Sequence, residues 1–264
     1  MADDFSDKKP SRRQFLAGAA ALGAGSTAAG TLSASDDDPL ITEVQEWAQI
    51  TGDGVDATPY GLPIEFEMDV VRRNVGWLTA DTISSINFSP IHALDGTITP
   101  QGCAFERHHS GAIELRKEDY RLMINGLVDQ ELVFTYEDLE RFPREQHVYF
   151  CECAANTGME WAGAQLNGVQ FTHGMIHNME YIGVPLKTLL NEAGLNAAGD
   201  LTGKWIFVEG SDASSNGRSI PMEKALDDVL VAFKANGEAL RKEHGYPVRL
   251  VVPGWEGNML SLIH

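Results

Sequence analysis

Short segments typical of strands and helices follow one another from Tyr120 onward, and their irregular order constrains the fold most. Residues 120–124 and 131–135 each alternate apolar and polar side chains around an Asn125-Gly126 pair, which predicts two strands and a turn. Residues 147–153, 204–212 and 246–254 are predicted strands, the last two of them buried. Because no regular β-α-β alternation is present, the sequence predicts a mixed α+β domain.

Three short helices are predicted between these strands. Thr135 and Asp138 have the spacing of a capping box, and Pro143 would end the helix that they begin. Residues 184–195 form an amphipathic segment with a glycine near its end, which indicates a second helix. A third helix, followed by a further strand, is predicted within residues 220–231.

The amino-terminal segment predicts export. Basic residues and the run Ser11-Arg12-Arg13-Gln14-Phe15-Leu16 precede a weakly apolar Ala/Gly stretch, which is typical of a twin-arginine signal peptide at residues 1–34. The stretch is too short and too poor in Leu, Ile and Val for stable membrane insertion. We therefore expect a periplasmic protein that is exported already folded, although a flexible Ala/Gly arm is the alternative. Residues 35–95 are expected to be an extended lead-in, with a short helix at 41–50.

The charge balance bears on the partners. The chain has 20 basic and 38 acidic residues among 264, a formal net charge of −18. This charge argues against nucleic acid or an anionic membrane as the main partner. It suits either a basic protein partner or a salty environment, and composition does not decide between them.

The three cysteines are too few for a disulfide framework. Cys153 ends an apolar strand and enters a loop of small residues, where a thiol can ligate a metal or act as a nucleophile. A buried structural cysteine is the alternative for Cys153, and it is the expected role of Cys103 and Cys151.

Two basic groupings could bind anions. Arg107, His108 and His109 precede a Ser-Gly pair, and His244 lies five residues before Arg249. Guanidinium and imidazolium groups supply directed donors to phosphate oxygens, although solvated polar loops would have the same composition. The sequence contains no HExxH, CxxC, GxGxxG, Walker or GxSxG motif, and no CxxCH haem site.

Four separated motifs resemble the sulfite oxidase family of molybdenum enzymes, which carry one pterin dithiolene cofactor (molybdopterin). The resemblance covers residues from about 90 to 258. The run after Cys153 looks like the branch of bacterial sulfur oxidation (Sox), whose molybdenum subunit belongs to a sulfane dehydrogenase. The motifs are Phe105-Glu106-Arg107-His108-His109, Cys153-Ala154-Ala155-Asn156, Ser219-Ile220-Pro221 and His244-Gly245-Tyr246-Pro247-Val248-Arg249.

The resemblance implies a sulfite-oxidase-type molybdopterin-binding domain at residues 96–258. Cys153 would be the protein thiolate on molybdenum, which suits a soft ligand that the metal charge deprotonates. Arg107 and Arg218 would act on the substrate. The residues that the resemblance places on the cofactor are Arg107, His108, His109, Asn156, Asp212, Ser219, His244 and Arg249.

Departures from the family pattern bear on the substrate. Animal-type members have two arginines after the ligand motif, where this chain has Thr157 and Gly158, and a tyrosine where it has Asn216. A pocket with fewer cations favours sulfane sulfur on a carrier protein over free sulfite, which is the alternative. Electrons would leave singly to a separate c-type cytochrome subunit.

The tail at residues 259–264 departs from the family. Relatives continue with a lysine-bearing segment and an immunoglobulin-like dimerisation domain, which we expect to be absent from this chain. An inactive fragment that retains only partner binding is therefore one alternative reading. An unrelated exported binding protein with a structural Cys153 is another.

Overall fold

The computed structural model describes residues 50–257, except 52, 53, 56, 58, 59, 61, 80, 82, 196–198, 211 and 212. The predicted signal peptide, most of the helix expected at 41–50 and the tail at 259–264 therefore lie outside the described residues. Thr58–His264 form one unit and Met1–Ala57 another. Every helix and strand below belongs to the first of these units.

The strands, in chain order, are β1 (Arg73–Asn74), β2 (Ser85–Phe88), β3 (Arg107–His108), β4 (Arg121–Ile124), β5 (Leu132–Thr135), β6 (Glu145–Glu152), β7 (Ile176–Pro185), β8 (Trp205–Glu209), β9 (Gly217–Pro221), β10 (Leu230–Ala235), β11 (Glu238–Ala239) and β12 (Arg249–Val251). The helices are α1 (Tyr136–Arg141), α2 (Val169–His173), α3 (Leu186–Glu192) and α4 (Met222–Asp227). Short 3-10 turns connect several of them. The mixture confirms the predicted α+β class.

A five-stranded antiparallel sheet forms the centre of the unit. Its order is β11-β10-β7-β6, and β12 also pairs with β10. β6 pairs with β7 along its whole length, so that Cys151 lies directly opposite His177. Pairing of β12 with β10 places Arg249 opposite Ala232. The sheet therefore brings three distant parts of the sequence, including the strand that leads to Cys153, to one region.

Local sequence signals account for the helices. The Thr135 hydroxyl accepts a hydrogen bond from the Asp138 backbone N–H at 3.1 Å, and the Asp138 carboxylate accepts one from the Thr135 N–H at 3.0 Å. This is the predicted capping box at the start of α1. α3 lies within the predicted 184–195 segment and buries Leu186, Leu189 and Leu190 against the core.

Two expectations differ from the structure. The segment predicted as a buried strand at 204–212 contains β8, but among the described residues β8 pairs only with β9, and Trp205 and Phe207 are 60% and 66% exposed. Apolar composition was misleading here because a two-stranded sheet leaves one face uncovered. The lead-in is also not merely extended, since β2 pairs with β3 and aligns Ile86 with Arg107. This part of the chain thus holds the strand that contains Arg107 and His108.

Among the described residues, no helix combines the length and apolar character needed to cross a membrane.

Candidate active site

One cavity of about 370 Å³ gathers most of the residues that the sequence singled out. It opens where β3, the end of β6, the start of β9 and the segment before β12 meet. The predicted residues that line it are Cys153, Arg107, His108, His109, Arg218, His244 and Arg249. A thiol therefore shares one concave site with three guanidinium groups and several imidazoles.

Cys153 follows the last residue of β6 and is held by its backbone. Its N–H donates to the Met175 carbonyl at 3.0 Å, and its own carbonyl accepts from the Asn156 N–H at 2.8 Å. Burial raises the pKa of the thiol, whereas the Ala155 N–H, 3.5 Å from the sulfur, and the charge of Arg107 lower it. A thiol in this setting becomes a thiolate most readily by binding a metal cation.

Two of the predicted cofactor residues that the structure describes, Asn156 and Ser219, do not line the cavity. The Asn156 amide instead accepts from the Met175 N–H at 3.1 Å and donates to Glu152 at 2.9 Å. Ser219 is the exposed residue of β9 and lies opposite Phe207. Asp212 is outside the described residues. Asn156 thus holds the turn that follows Cys153 against Met175, the residue before β7.

Arg107 is oriented by backbone carbonyls. Its Nη1 donates to the Ser85 carbonyl at 3.2 Å and also to the carbonyl of His108, and its Nη2 lies 3.4 Å from His109 Nδ1. These contacts fix a positive charge at the cavity wall. The half-buried guanidinium of Arg218 donates to the Gly217 carbonyl at 2.7 Å and is the second such charge.

A carboxylate supports the neighbouring histidine. Glu106 lies 2.9 Å from His108 Nε2, and Asn87 Nδ2 donates to the other Glu106 oxygen at 2.5 Å. Burial opposes ionisation of Glu106, but the His108 hydrogen bond and nearby positive charge, including that of Arg72, together lower the pKa of the carboxyl. The contact between Asn87 and Glu106 therefore adds to the backbone hydrogen bonds that pair β2 with β3.

His244 and Arg249 form one buried unit. His244 Nε2 lies 3.2 Å from the Ala104 carbonyl and 3.3 Å from that of Phe105. Arg249 Nη1 donates to the His244 carbonyl at 3.1 Å. Burial and the Arg249 charge lower the pKa of His244 to about 4, so that the imidazole is neutral near pH 7.

The sequence reasoning missed His177 and gave Cys151 only a structural role, yet both line the cavity. They face each other across β6 and β7. The buried alternation of β7, in which His177, Met179 and Tyr181 point inward, was the available signal. Their place in the site depends on the strand register, which the sequence alone does not supply.

The chemistry of the cavity fits a metal bound through an organic cofactor. It offers one thiol for a soft metal, guanidinium groups for phosphate or another anion, and ring nitrogens for a heterocycle. The buried His244 Nδ1 has no hydrogen-bond partner among the described residues. Such an atom normally has a partner, and a bound ring N–H would supply one.

Comparisons with known proteins agree with this chemistry. Residues 109–261 match the family described as "Oxidoreductase molybdopterin binding domain". Mitochondrial sulfite oxidase of Mus musculus is 32% identical over 172 residues, covering 62% of this chain and 31% of that protein. Inducible nitrate reductase [NADH] 2 of Glycine max is 33% identical over 175 residues, covering 62% and 20%. The chain thus spans a third or less of the length of these curated relatives.

A solved structure is more similar still. The sulfane dehydrogenase SoxCD of Paracoccus pantotrophus has a chain that is 72% identical, with a TM-score of 0.77. The match covers 84% of this chain and 56% of that one. The match therefore extends over most of this chain and leaves nearly half of the solved chain unmatched.

Proposed function

Because this chain belongs to the molybdopterin-binding oxidoreductase family, as a SoxC-like member of sulfite oxidase type, we propose that it oxidises sulfane sulfur held on a carrier protein. The observation that carries the proposal is the cavity itself, which joins the Cys153 thiol to Arg107 and Arg218. Its close relative is called a sulfane dehydrogenase. A sulfur substrate with anionic character would meet the metal ligand and the two cations together.

The residues divide into those that hold the cofactor and those that handle the substrate. When bound, the molybdenum cofactor supplies two-electron oxidation with oxygen transfer to sulfur. Cys153 would hold the metal as a thiolate, His244 would accept a hydrogen bond from the pterin, and Arg249 would neutralise its phosphate. Arg107 and Arg218 would orient the substrate and stabilise negative charge that develops on it.

The residues after the metal ligand favour the carrier-bound substrate. Thr157 and Gly158 stand where animal-type members of the family have two arginines, and Asn216 replaces a tyrosine on the cavity wall. The pocket thus has fewer groups dedicated to a small free dianion. Free sulfite is the second candidate, because Arg107 and Arg218 still provide two cations and mitochondrial sulfite oxidases are among the relatives.

We further propose the setting in which this reaction occurs. The twin-arginine segment supports export to the periplasm after the cofactor is inserted, and a c-type cytochrome subunit would accept the electrons one at a time. The net charge of −18 would favour a basic docking surface on that partner. The solved relative bears the name SoxCD, which supports a partner of this kind.

A substrate comparison tests the proposal. The full chain, loaded with cofactor, would be assayed by reduction of an added c-type cytochrome with either a persulfidated cysteine peptide or sulfite. A kcat/KM at least tenfold higher for the persulfide supports the proposal, whereas a preference for sulfite selects the second candidate. Loaded protein that oxidises neither compound would support the inactive alternative. Arg218→Gln should lower kcat/KM about tenfold or more if this cation contacts the substrate.

A further inference from the structure

Two buried histidines meet at the wall of the cavity. His177 and His244 are 3% and 2% exposed, and their ring centroids lie 5.7 Å apart at an interplanar angle of 74°. Both rings line the cavity. In each ring Nε2 has a protein partner, whereas Nδ1 has no hydrogen-bond partner among the described residues. Buried nitrogens of this kind normally have partners, and the described residues provide none for these two.

The hydrogen-bond polarity of His244 follows from its neighbours. Its Nε2 faces the carbonyl oxygens of Ala104 and Phe105, which can only accept hydrogen bonds. Nε2 must therefore carry the proton. Because burial and the Arg249 charge keep this imidazole neutral, Nδ1 carries a lone pair and is an acceptor.

His177 has the opposite polarity. Its Nε2 lies 3.1 Å from Tyr181 Oη, which is fully buried and has this nitrogen as its hydrogen-bond partner. Burial raises the pKa of Tyr181, so the phenol keeps its proton. Because His177 Nε2 is the partner that the described residues offer to this buried O–H, the phenol donates its hydrogen bond to Nε2. Burial, together with the charge of Arg249, holds the pKa of His177 well below its usual value. A neutral ring that accepts at Nε2 carries its hydrogen at Nδ1.

We propose that His177 is a ligand-binding residue that donates a hydrogen bond from Nδ1–H to an oxygen acceptor of the group held in the cavity, and that Tyr181 positions it. His177 and His244 would then form a matched pair, one donor and one acceptor, on the same wall. The Phe105 ring packs 4.9 Å from the His177 ring and restricts its rotation. The acceptor is either the carbonyl of the pterin ring or an oxygen of the substrate.

The inference rests on the molybdopterin site of this cavity and not on which sulfur compound is oxidised. Its first test needs no variant. Nitrogen-15 NMR of the full, cofactor-loaded chain with labelled histidine distinguishes protonated from unprotonated ring nitrogens. We expect the proton of His177 on Nδ1 and that of His244 on Nε2. A proton on Nε2 of His177 would overturn the proposal, whatever the activity of the enzyme.

Matched variants identify the acceptor. The side-chain nitrogen of asparagine can take the place of Nδ1–H, so His177→Asn keeps the donor that His177→Leu removes. If the pterin is the acceptor, the leucine variant should lose about tenfold or more in cofactor retention, and asparagine should restore most of it. If a substrate oxygen is the acceptor, cofactor content should stay constant and KM should rise by a similar factor.

Two further results would count against the proposal. Equal cofactor content and KM in wild type, His177→Leu and His177→Asn would mean that Nδ1 donates to neither group. Tyr181→Phe should also disturb the tautomer of His177 in the NMR spectrum, because the phenol hydrogen that fixes it is gone. An unchanged spectrum in that variant would show that Tyr181 does not position His177.

Discussion

The side-chain oxygen of Asn156 accepts a hydrogen bond from the backbone N–H of Met175 at 3.1 Å, and this contact closes the turn that carries Cys153. The Met175 carbonyl in turn accepts from the Cys153 N–H at 3.0 Å. Met175, the residue before β7, thus holds the proposed metal ligand through both its backbone N–H and its carbonyl. Asn156 acts on the site through Cys153 and does not line the cavity.

Removing this contact should loosen the thiol. Asn156→Ala leaves the Met175 N–H and the Glu152 carboxylate without their partner, which costs about 1–3 kcal/mol when such groups are partly buried. We expect a lower melting temperature and several-fold less molybdenum per chain. Gln165→Ala is the control, because among the described residues that exposed amide bonds only the Gly163 carbonyl in the same loop. Equal molybdenum content in both variants would show that the contact does not position Cys153.

Two glutamates provide a matched test of the β2–β3 pairing. Glu106→Gln keeps the shape of the side chain but removes the negative charge that partners His108 and accepts from Asn87. We expect a loss of about 1–3 kcal/mol in the free energy of unfolding, measured by urea denaturation. Glu114→Gln removes a carboxylate whose side chain is 80% exposed. This change should alter the free energy of unfolding by less than about 0.5 kcal/mol. Equal losses of unfolding free energy in the two variants would show that Glu106 does not stabilise the β2–β3 pairing.

Acid should destabilise the fold through its buried histidines. Burial lowers the pKa of His244 from 6.5 to about 4, so the unfolded chain binds a proton at a higher pH than the folded chain does. The resulting stability is full above about pH 6.5 and is lost as pH falls towards 4, by roughly 2 to 3 kcal/mol. His177 adds to the same trend. Urea denaturation of the full chain at several pH values checks this slope.

A substitution isolates the contribution of His244. In His244→Gln the free energy of unfolding should fall less steeply between pH 6.5 and 4 than in wild type. His147→Gln changes a histidine whose side chain is 41% exposed and should leave the slope nearly unchanged. A wild-type slope that survives in His244→Gln would assign the acid sensitivity to other groups.

Sequence reasoning succeeded where the signals are local. The capping box of Thr135 and Asp138 and the helix within residues 184–195 depend on neighbouring residues, and the structure contains both. The predicted strand at 204–212 exists, but whether Trp205 and Phe207 are covered depends on what packs against β8, which composition does not reveal. The predicted Asn125-Gly126 turn lies in a connection between Ile124 and Leu132, in which Gly126 has φ +99°.

The site shows the same division. The resemblance brought Cys153, Arg107, His244 and Arg249 to attention, and the structure places them around one cavity. His177 could not be found in this way, because its position follows from its register opposite Cys151. The sequence also did not reveal that Asn156 bonds a backbone group 19 residues away. Roles that depend on non-local contacts require the folded structure.

Metal analysis of the full chain tests the central claim, that Cys153 is the protein ligand of molybdenum, most directly. Wild type and Cys153→Ser would be produced in cells that make the cofactor, beside Cys103→Ser, whose thiol lies outside the cavity near the Val70 carbonyl. We predict about one molybdenum per chain in wild type and Cys103→Ser, and a changed sulfur-to-metal absorption band with less metal in Cys153→Ser. Folded wild-type protein without molybdenum, or a Cys153→Ser variant with the same content and band, would contradict the claim.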